Sequence, residues 1–196
     1  MIKETIKRYS KNDRISLLIR HGDREKIPEG SFGNEVLLNE KGKHNAISFG
    51  KDLMQFKLNK ILTSPIERCV QTAEHIMMGY GNRIEIIETT ALGAPGLHIN
   101  DEKAAGKFMI EYGVNEMYKR FIQGMEIPGV PTISRLNNLI TSYIVDKTSE
   151  NGITVFVTHD LLIAFYHYSI NKTVYTKDNW VKYLMGLTLT NGKHEK

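Results

Sequence analysis

The sequence predicts an α/β fold, a three-layer αβα sandwich with a mostly parallel central sheet and a small helical cap or insertion. Three observations lead there. Short β-rich runs alternate with stretches of helical periodicity, the pattern that lays helices on both faces of a parallel sheet. The runs RISLLIR at 14–20 and ITVFVT at 153–158 are apolar nearly throughout, as strands covered on both faces must be. The 196 residues, 41% hydrophobic and 24% charged, match an ordinary globular protein and suffice for one sizeable core.

The elements follow in order. The first strand is 14–20. Asn39 then caps a helix that sets Ala46, Phe49, Leu53 and Phe56 on one face. A second strand spans 59–63. Ser64-Pro65-Ile66-Glu67 reads as a helix start, with Ser as N-cap, Pro at the first helical position and Glu three residues after the cap. Ile66, Val70, Ala73 and Met77 supply the buried stripe behind it. RIEIIE at 83–88 is a third strand. From 89 to 130 the periodicity weakens among Gly93, Pro95, Gly96, Gly106, Gly113, Gly124 and Pro128, which predicts loops and short helices forming a small cap. Leu136, Leu139, Ile140, Tyr143 and Ile144 mark an amphipathic helix. The strand at 153–158 and a helix at 161–171 come next, and YLMGLTLT forms a last, antiparallel strand. The whole, 1–196, reads as a single domain with the 89–130 cap inside it, and no internal repeat interrupts it.

Composition narrows the function. A net charge of +4 suits an anionic small substrate, while the absence of like-charge blocks and of basic–aromatic alternation argues against nucleic acid. Cys69, the one cysteine, rules out an internal disulfide framework and reads as a small buried hydrophobe. The N-terminus has no apolar leader core and no run nears the ~18 residues of a membrane span. The expectation is a soluble, cytoplasmic protein without a membrane partner. His44, His75, His98, His167 and His194 show no ligand spacing with carboxylates or cysteines, so neither metal nor cofactor is expected. GYGNR at 79–83 lacks phosphate-loop spacing and reads as a turn.

The chemistry collects at strand ends. Arg20, His21, Asp23 and Arg24 follow the most apolar strand, and desolvating charges is costly. They belong just beyond the strand, in the crevice outside the carboxyl ends where open sheets bind ligands. The second strand leads to Ser64 and Arg68, and the fourth to Thr158-His159-Asp160. Each alone admits a structural reading: a packed histidine, a surface ion pair, a capped helix. Their convergence on one crevice is what points to a site.

The motifs RHGDR, TSPIERCVQTA and VTHD, in that order and each at a strand end, together resemble the histidine phosphatase superfamily over residues 14–172. The resemblance implies that His21 is the nucleophile that becomes phosphorylated, and that Arg20, Arg68 and His159 bind the phosphoryl group. Arg24 matches the second arginine of the acid-phosphatase form, although Lys26 stands where that form carries proline and the first proline is Pro28. No acid follows Leu92, where the mutase-like branch places a glutamate. Asp160 stands where the acid-phosphatase branch has its proton donor, and Glu88 is the alternative. The implied function is metal-independent hydrolysis of phosphomonoesters through a phosphohistidine, acting on a small phosphorylated substrate or a phosphoprotein. Its rivals are a phosphotransferase or mutase, a phosphohistidine-protein phosphatase, and a phosphate-binding regulatory module without turnover.

Physical chemistry supports these roles. A neutral imidazole attacks phosphorus well near pH 7 and splits one hard displacement into two easier ones. Its other ring nitrogen needs an acceptor, which the sequence does not identify. Arginine offers a planar, permanently charged fork for phosphate oxygens, and Arg68 gains from the helix N-terminus it sits on. Asp160 requires burial or a neighbouring anion to keep its proton. Asp23 reads as solvated. The substrate walls fall in 22–38 and 89–130, with Glu25, Lys26, His98 and Asn100 as candidate contacts. Oligomeric state is not legible.

Overall fold

The apolar run after Asp13 forms β1 (Arg14–Arg20) at the middle of the sheet, in a computed structural model that describes residues 13–28, 31–191 and 193–194. After it come α1 (Glu40–Asp52), β2 (Leu58–Thr63), α2 (Glu67–Tyr80) and β3 (Glu85–Glu88). A 3-10 turn (Thr90–Leu92) leads to α3 (Glu102–Ile122) and α4 (Ile133–Lys147). The chain ends with β4 (Gly152–Thr158), α5 (Asp160–Asn171), β5 (Gly186–Thr190) and the two-residue β6 (Lys193–His194). Among the described residues the strand order is β3-β2-β4-β1-β5-β6. β3, β2, β4 and β1 run parallel to their neighbours, whereas β5 and β6 are antiparallel additions. The N-terminal stretch, residues 29–30 and the side chain of His194 lie outside the described residues.

The pleat sorts side chains between two cores. Ile15, Leu17 and Ile19 of β1 join Ile153, Val155 and Val157 of β4 against Ala46 and Leu53 of the α1 segment and Cys69, Ala73 and Ile76 of α2. On the opposite face Leu18, Phe156, Leu187 and Leu189 meet α3, α4 and the nearly all-apolar α5. These are the three layers that the alternation predicts. No described helix is long and apolar enough to cross a membrane.

Three local expectations are corrected. Helix α2 begins at Glu67 with Ile66 as N-cap, and Ser64 does not cap it. The Ser64 hydroxyl is drawn instead toward His159, 3.0 Å away, while accepting the Ile66 N–H at 3.3 Å. The buried stripe of α2 is Cys69, Thr72, Ala73, Ile76 and Gly79. Ile66, Val70 and Met77 are only half-buried, because α1 and the sheet approach from a different side of the helix than apolarity alone selects. Much of 89–130 is helical. α3 spans 21 residues, with Gly113 at φ 81° breaking its regularity, a left-handed conformation that glycine adopts without steric cost. Ala105, Phe108, Met117, Tyr118 and Phe121 of α3 pack into the same core as α5.

Helices α1 and α2 touch backbone to backbone. A Cβ on Gly79 would lie 2.0 Å from the Ile47 carbonyl oxygen. Helix propensity alone would make Gly79→Ala stabilising by ~1 kcal/mol. Overpacking against a backbone atom costs ~1–3 kcal/mol and dominates. The urea midpoint of Gly79→Ala is therefore expected below that of the wild type, and an unchanged or raised midpoint would refute this close approach.

Candidate active site

Strand register assembles the site. Arg20 of β1 is level with Thr158 of β4, and Thr63 of β2 with Val157. The ladder continues one residue further: His21 N–H donates to the Thr158 carbonyl at 2.9 Å and Ser64 N–H to the Val157 carbonyl at 3.0 Å. His21, Ser64 and His159 thus leave the sheet side by side, at the carboxyl ends of three adjacent strands.

His21 is buried, 2% exposed. Its Nδ1 lies 2.8 Å from the Gly22 carbonyl, which can only accept, so Nδ1 carries the proton and Nε2 keeps a free lone pair. Gly22 is the acceptor that the sequence left unidentified. Arg68 Nε points at that lone pair from 3.2 Å. Burial first, then His159, Arg20 and Arg68, push the His21 pKa well below 6.5 against the opposing pull of Gly22. The ring is neutral at pH 7, with the lone pair of Nε2 fixed in place.

Arg68, buried in the first turn of α2, spans the crevice. Beyond His21 it donates from Nη1 to the Gly33 carbonyl at 2.5 Å, and its Nη2 lies 3.3 Å from His159 Nδ1. His159 meets His21 edge-on with centroids 5.5 Å apart. Burial, followed by Arg68, lowers the His159 pKa to about 3. Arg20 donates to the Val181 carbonyl at 2.5 Å and pairs with Asp160 at 2.8 Å, and its Nε is buried with no partner. Arg68 therefore meets the lone pair of His21 directly, with the His159 ring beside it and Arg20 close enough to act on its charge, a set of donors chemically suited to an anion.

Asp160 opens α5 and accepts its neighbour Leu161 N–H at 2.9 Å. The sequence called for burial or an anion beside it. Its carboxylate is 27% exposed and its partner is a cation, Arg20. Asp23 is not simply solvated. Lys41 at 2.8 Å and Asn45 at 3.1 Å bind it, and although burial opposes the charge, these bonds hold its pKa below the ordinary value. Arg24 donates to the Glu25 carbonyl at 2.7 Å with its Nε buried and unpartnered, and its charge acts on Arg68. Glu25, Lys26 and Asn100 are exposed, and Glu88 is exposed at the end of edge strand β3. His98 is buried edge-on against Phe165, its pKa lowered to about 4 by burial despite Asp160. Cys69 is fully buried, and burial pushes its thiol up to about 12.

Two site residues escaped the sequence reading. Thr72 accepts the Gly22 N–H at 3.0 Å and donates to the Arg68 carbonyl at 2.7 Å, locking the nucleophile's loop to α2. Its signal was a polar residue one turn beyond Arg68 on the buried face. Tyr183 lies with its ring 4.1 Å from the Arg20 guanidinium carbon and 5.6 Å from the His21 ring. It arrives on a return segment fixed by Leu184 N–H to the Arg20 carbonyl at 3.1 Å, which no periodicity announces.

Residues 16–179 match the model of the histidine phosphatase superfamily, branch 1. A 2,3-bisphosphoglycerate-dependent phosphoglycerate mutase of Thermoplasma acidophilum is 27% identical over 149 residues, 74% of this chain and 70% of that protein. A phosphoglycerate mutase from Bacillus anthracis superposes with a TM-score of 0.61 at 16% identity, covering 94% of this chain and 91% of that one. A phosphoserine phosphatase from Entamoeba histolytica, in complex with phosphoserine, gives 0.59 at 18% identity, covering 92% and 93%. The two structures speak for the fold.

The buried histidines tie stability to pH. Unfolded histidines protonate near 6.5, whereas folded His98 and His159 hold out to about 4 and about 3, and His21 titrates well below 6.5. Below the unfolded value the unfolded chain binds more protons, so stability falls with pH, approaching ~1.4 kcal/mol per pH unit for each histidine. The effect is absent above about pH 7 and levels off only below the folded values. The urea midpoint at pH 5 is expected below that at pH 7; an equal or higher midpoint would mean that these rings are not held neutral.

Proposed function

The chain belongs to the histidine phosphatase superfamily, branch 1, and from that premise we propose that it hydrolyses phosphomonoesters without a metal, through a phosphohistidine on His21. One observation carries the proposal: a neutral His21 whose Nδ1–H is given to Gly22 and whose Nε2 lone pair faces the guanidinium of Arg68. A nucleophile in one tautomer inside an anion-binding cluster is what phosphoryl transfer requires, since that reaction is mostly positioning and charge stabilisation.

The phosphoryl group enters among Arg20, Arg68 and His159, and takes from Arg68 the places now held by His21 Nε2, the Gly33 carbonyl and His159 Nδ1. Nε2 attacks phosphorus, the P–N bond forms and the ester P–O bond breaks. Positive charge growing on the ring is stabilised through Nδ1–H by Gly22. Asp160 gives its proton to the leaving oxygen. Water then attacks the phosphohistidine, Asp160 takes back a proton, and the P–N bond breaks to release phosphate and neutral His21. Arg20 links the two events. When it turns from Asp160 to the phosphoryl oxygens, that carboxylate loses its cation and is free to take a proton from solvent and pass it to the leaving oxygen.

A second reading, transfer of the phosphoryl group back to a hydroxyl of the substrate, is favoured by the 27% identity to a phosphoglycerate mutase. The same experiment separates them. Turnover of p-nitrophenyl phosphate in EDTA is expected from the wild type and absent from His21→Ala. Arg68→Ala is expected to lose ~10²–10³ in rate. Asp160→Asn is expected to lose ~10²–10⁴ on alkyl phosphates and less on the p-nitrophenyl ester, whose leaving group needs little proton assistance. Turnover retained by His21→Ala, or none by the wild type in EDTA, would overturn hydrolysis through His21. Efficient interconversion of phosphoglycerate isomers would favour transfer instead.

A further inference from the structure

Ser64 looks like a helix cap in the sequence but serves none. It is completely buried, and its Oγ lies 3.0 Å from Nε2 of His159 while accepting the Ile66 N–H at 3.3 Å. That backbone donor fills one lone pair and leaves the hydroxyl a second lone pair and its own proton. Ser64 can therefore meet Nε2 in either sense, accepting from Nε2–H or donating to a bare Nε2. The other ring nitrogen has no such choice. Nδ1 faces Nη2 of Arg68 at 3.3 Å, and a guanidinium only donates. In the free site Nδ1 is the acceptor, and Nε2 carries the hydrogen that Ser64 receives.

A bound phosphoryl group reverses the demand on Nδ1. Once an oxygen takes Nη2 of Arg68, Nδ1 faces an anion and must present a hydrogen. We propose that Ser64 is a positioning residue that lets neutral His159 exchange tautomers, Nε2–H in the free site and Nδ1–H when a phosphoryl group is bound, by turning its hydroxyl from acceptor to donor. The proposal rests on reading the crevice as a phosphoryl site. In the exchange one proton leaves Nε2 for solvent and one arrives at Nδ1, so the charge of the ring is unchanged.

The surroundings favour exchange over simple protonation. His159 is half-buried beside Arg68, with Arg20 and His98 also acting against a positive ring and Asp160 in its favour. Cys69 Sγ, 3.6 Å from Nε2, stays a thiol and brings no charge. His21, 5.5 Å away, is itself neutral. Gly93 closes over the pair: a Cβ there would lie 2.5 Å from Ser64 Oγ and 2.7 Å from His159 Nε2. The turn after β3 can pass this close to the Ser64–His159 hydrogen bond only with a residue that has no side chain.

The test is long-range proton–nitrogen NMR of ¹⁵N-histidine-labelled protein at pH 7, without and with saturating inorganic phosphate, His159 being assigned by its loss in His159→Asn. Nε2–H is expected in the free protein and Nδ1–H with phosphate. In Ser64→Ala the exchange is expected to vanish and the Kd for phosphate to rise about tenfold, since only the Cys69 thiol, a weak hydrogen-bonding group, is left beside Nε2. An Nδ1–H ring in the free wild type, a doubly protonated ring with phosphate, or the same exchange in Ser64→Ala would each overturn the proposal. The wild-type spectra decide alone should Ser64→Ala not fold. Phosphate that leaves the His21 signals unmoved would overturn the phosphoryl site itself, and the bound-state exchange with it.

Discussion

The guanidinium of Arg68 is the constraint on which the rest of the site depends. A cation this buried is costly unless its N–H groups are satisfied. It hands them to three neutral acceptors: the lone pair of His21, the carbonyl of Gly33 and the lone pair of His159. That choice of partners keeps both imidazoles neutral and turns their free nitrogens toward one point. It also draws the loop after β1 over the crevice through Gly33. Neutral acceptors are weaker partners for a guanidinium than phosphate oxygens are, so an incoming anion displaces them at a gain. The free site is an arrangement waiting for negative charge.

Helix α2 serves two masters. Cys69, Ala73 and Ile76 fasten it to the sheet, while Arg68 and Thr72, on the same buried side and nearer the crevice, hold the nucleophile. Because core packing fixes the helix, Arg68 cannot drift from the strand ends that carry His21 and His159. Backbone contact between α1 and α2 through Gly79 adds to that rigidity, and Gly42 of α1 closes in the same way on the Asp23 backbone beside the motif. The geometry of the site is in this sense a property of the core.

Much of this was legible without coordinates. β1, β4, the amphipathic helix at 133–147 and the antiparallel last strand stand out because their apolar periodicity is strong and uninterrupted. His21, Arg68, His159 and Asp160 stand out because costly groups follow directly on apolar strands. The long helix α3 did not, since its glycines mimic loop composition and its buried face is irregular about the break at Gly113. Ser64 was misread for a physical reason: a serine hydroxyl before a helix has two possible partners, and only the nearness of His159, 95 residues away in sequence, decides between them.

The sequence by itself determined the alternation of strands and helices, the parallel sheet and the set of residues brought to its carboxyl ends, because these follow from local periodicity and from the cost of burying charge. The tertiary structure alone decided the rest. Strand register set which side chains stand level, giving Arg68 its two histidines. It placed Arg20 rather than an anion beside Asp160, brought Thr72 and Tyr183 to the nucleophile, and assigned Ser64 to His159. Apart from the His21 proton, which the adjacent Gly22 carbonyl holds, the direction of these hydrogen bonds is set by contacts across the fold, and no run of neighbouring residues encodes them.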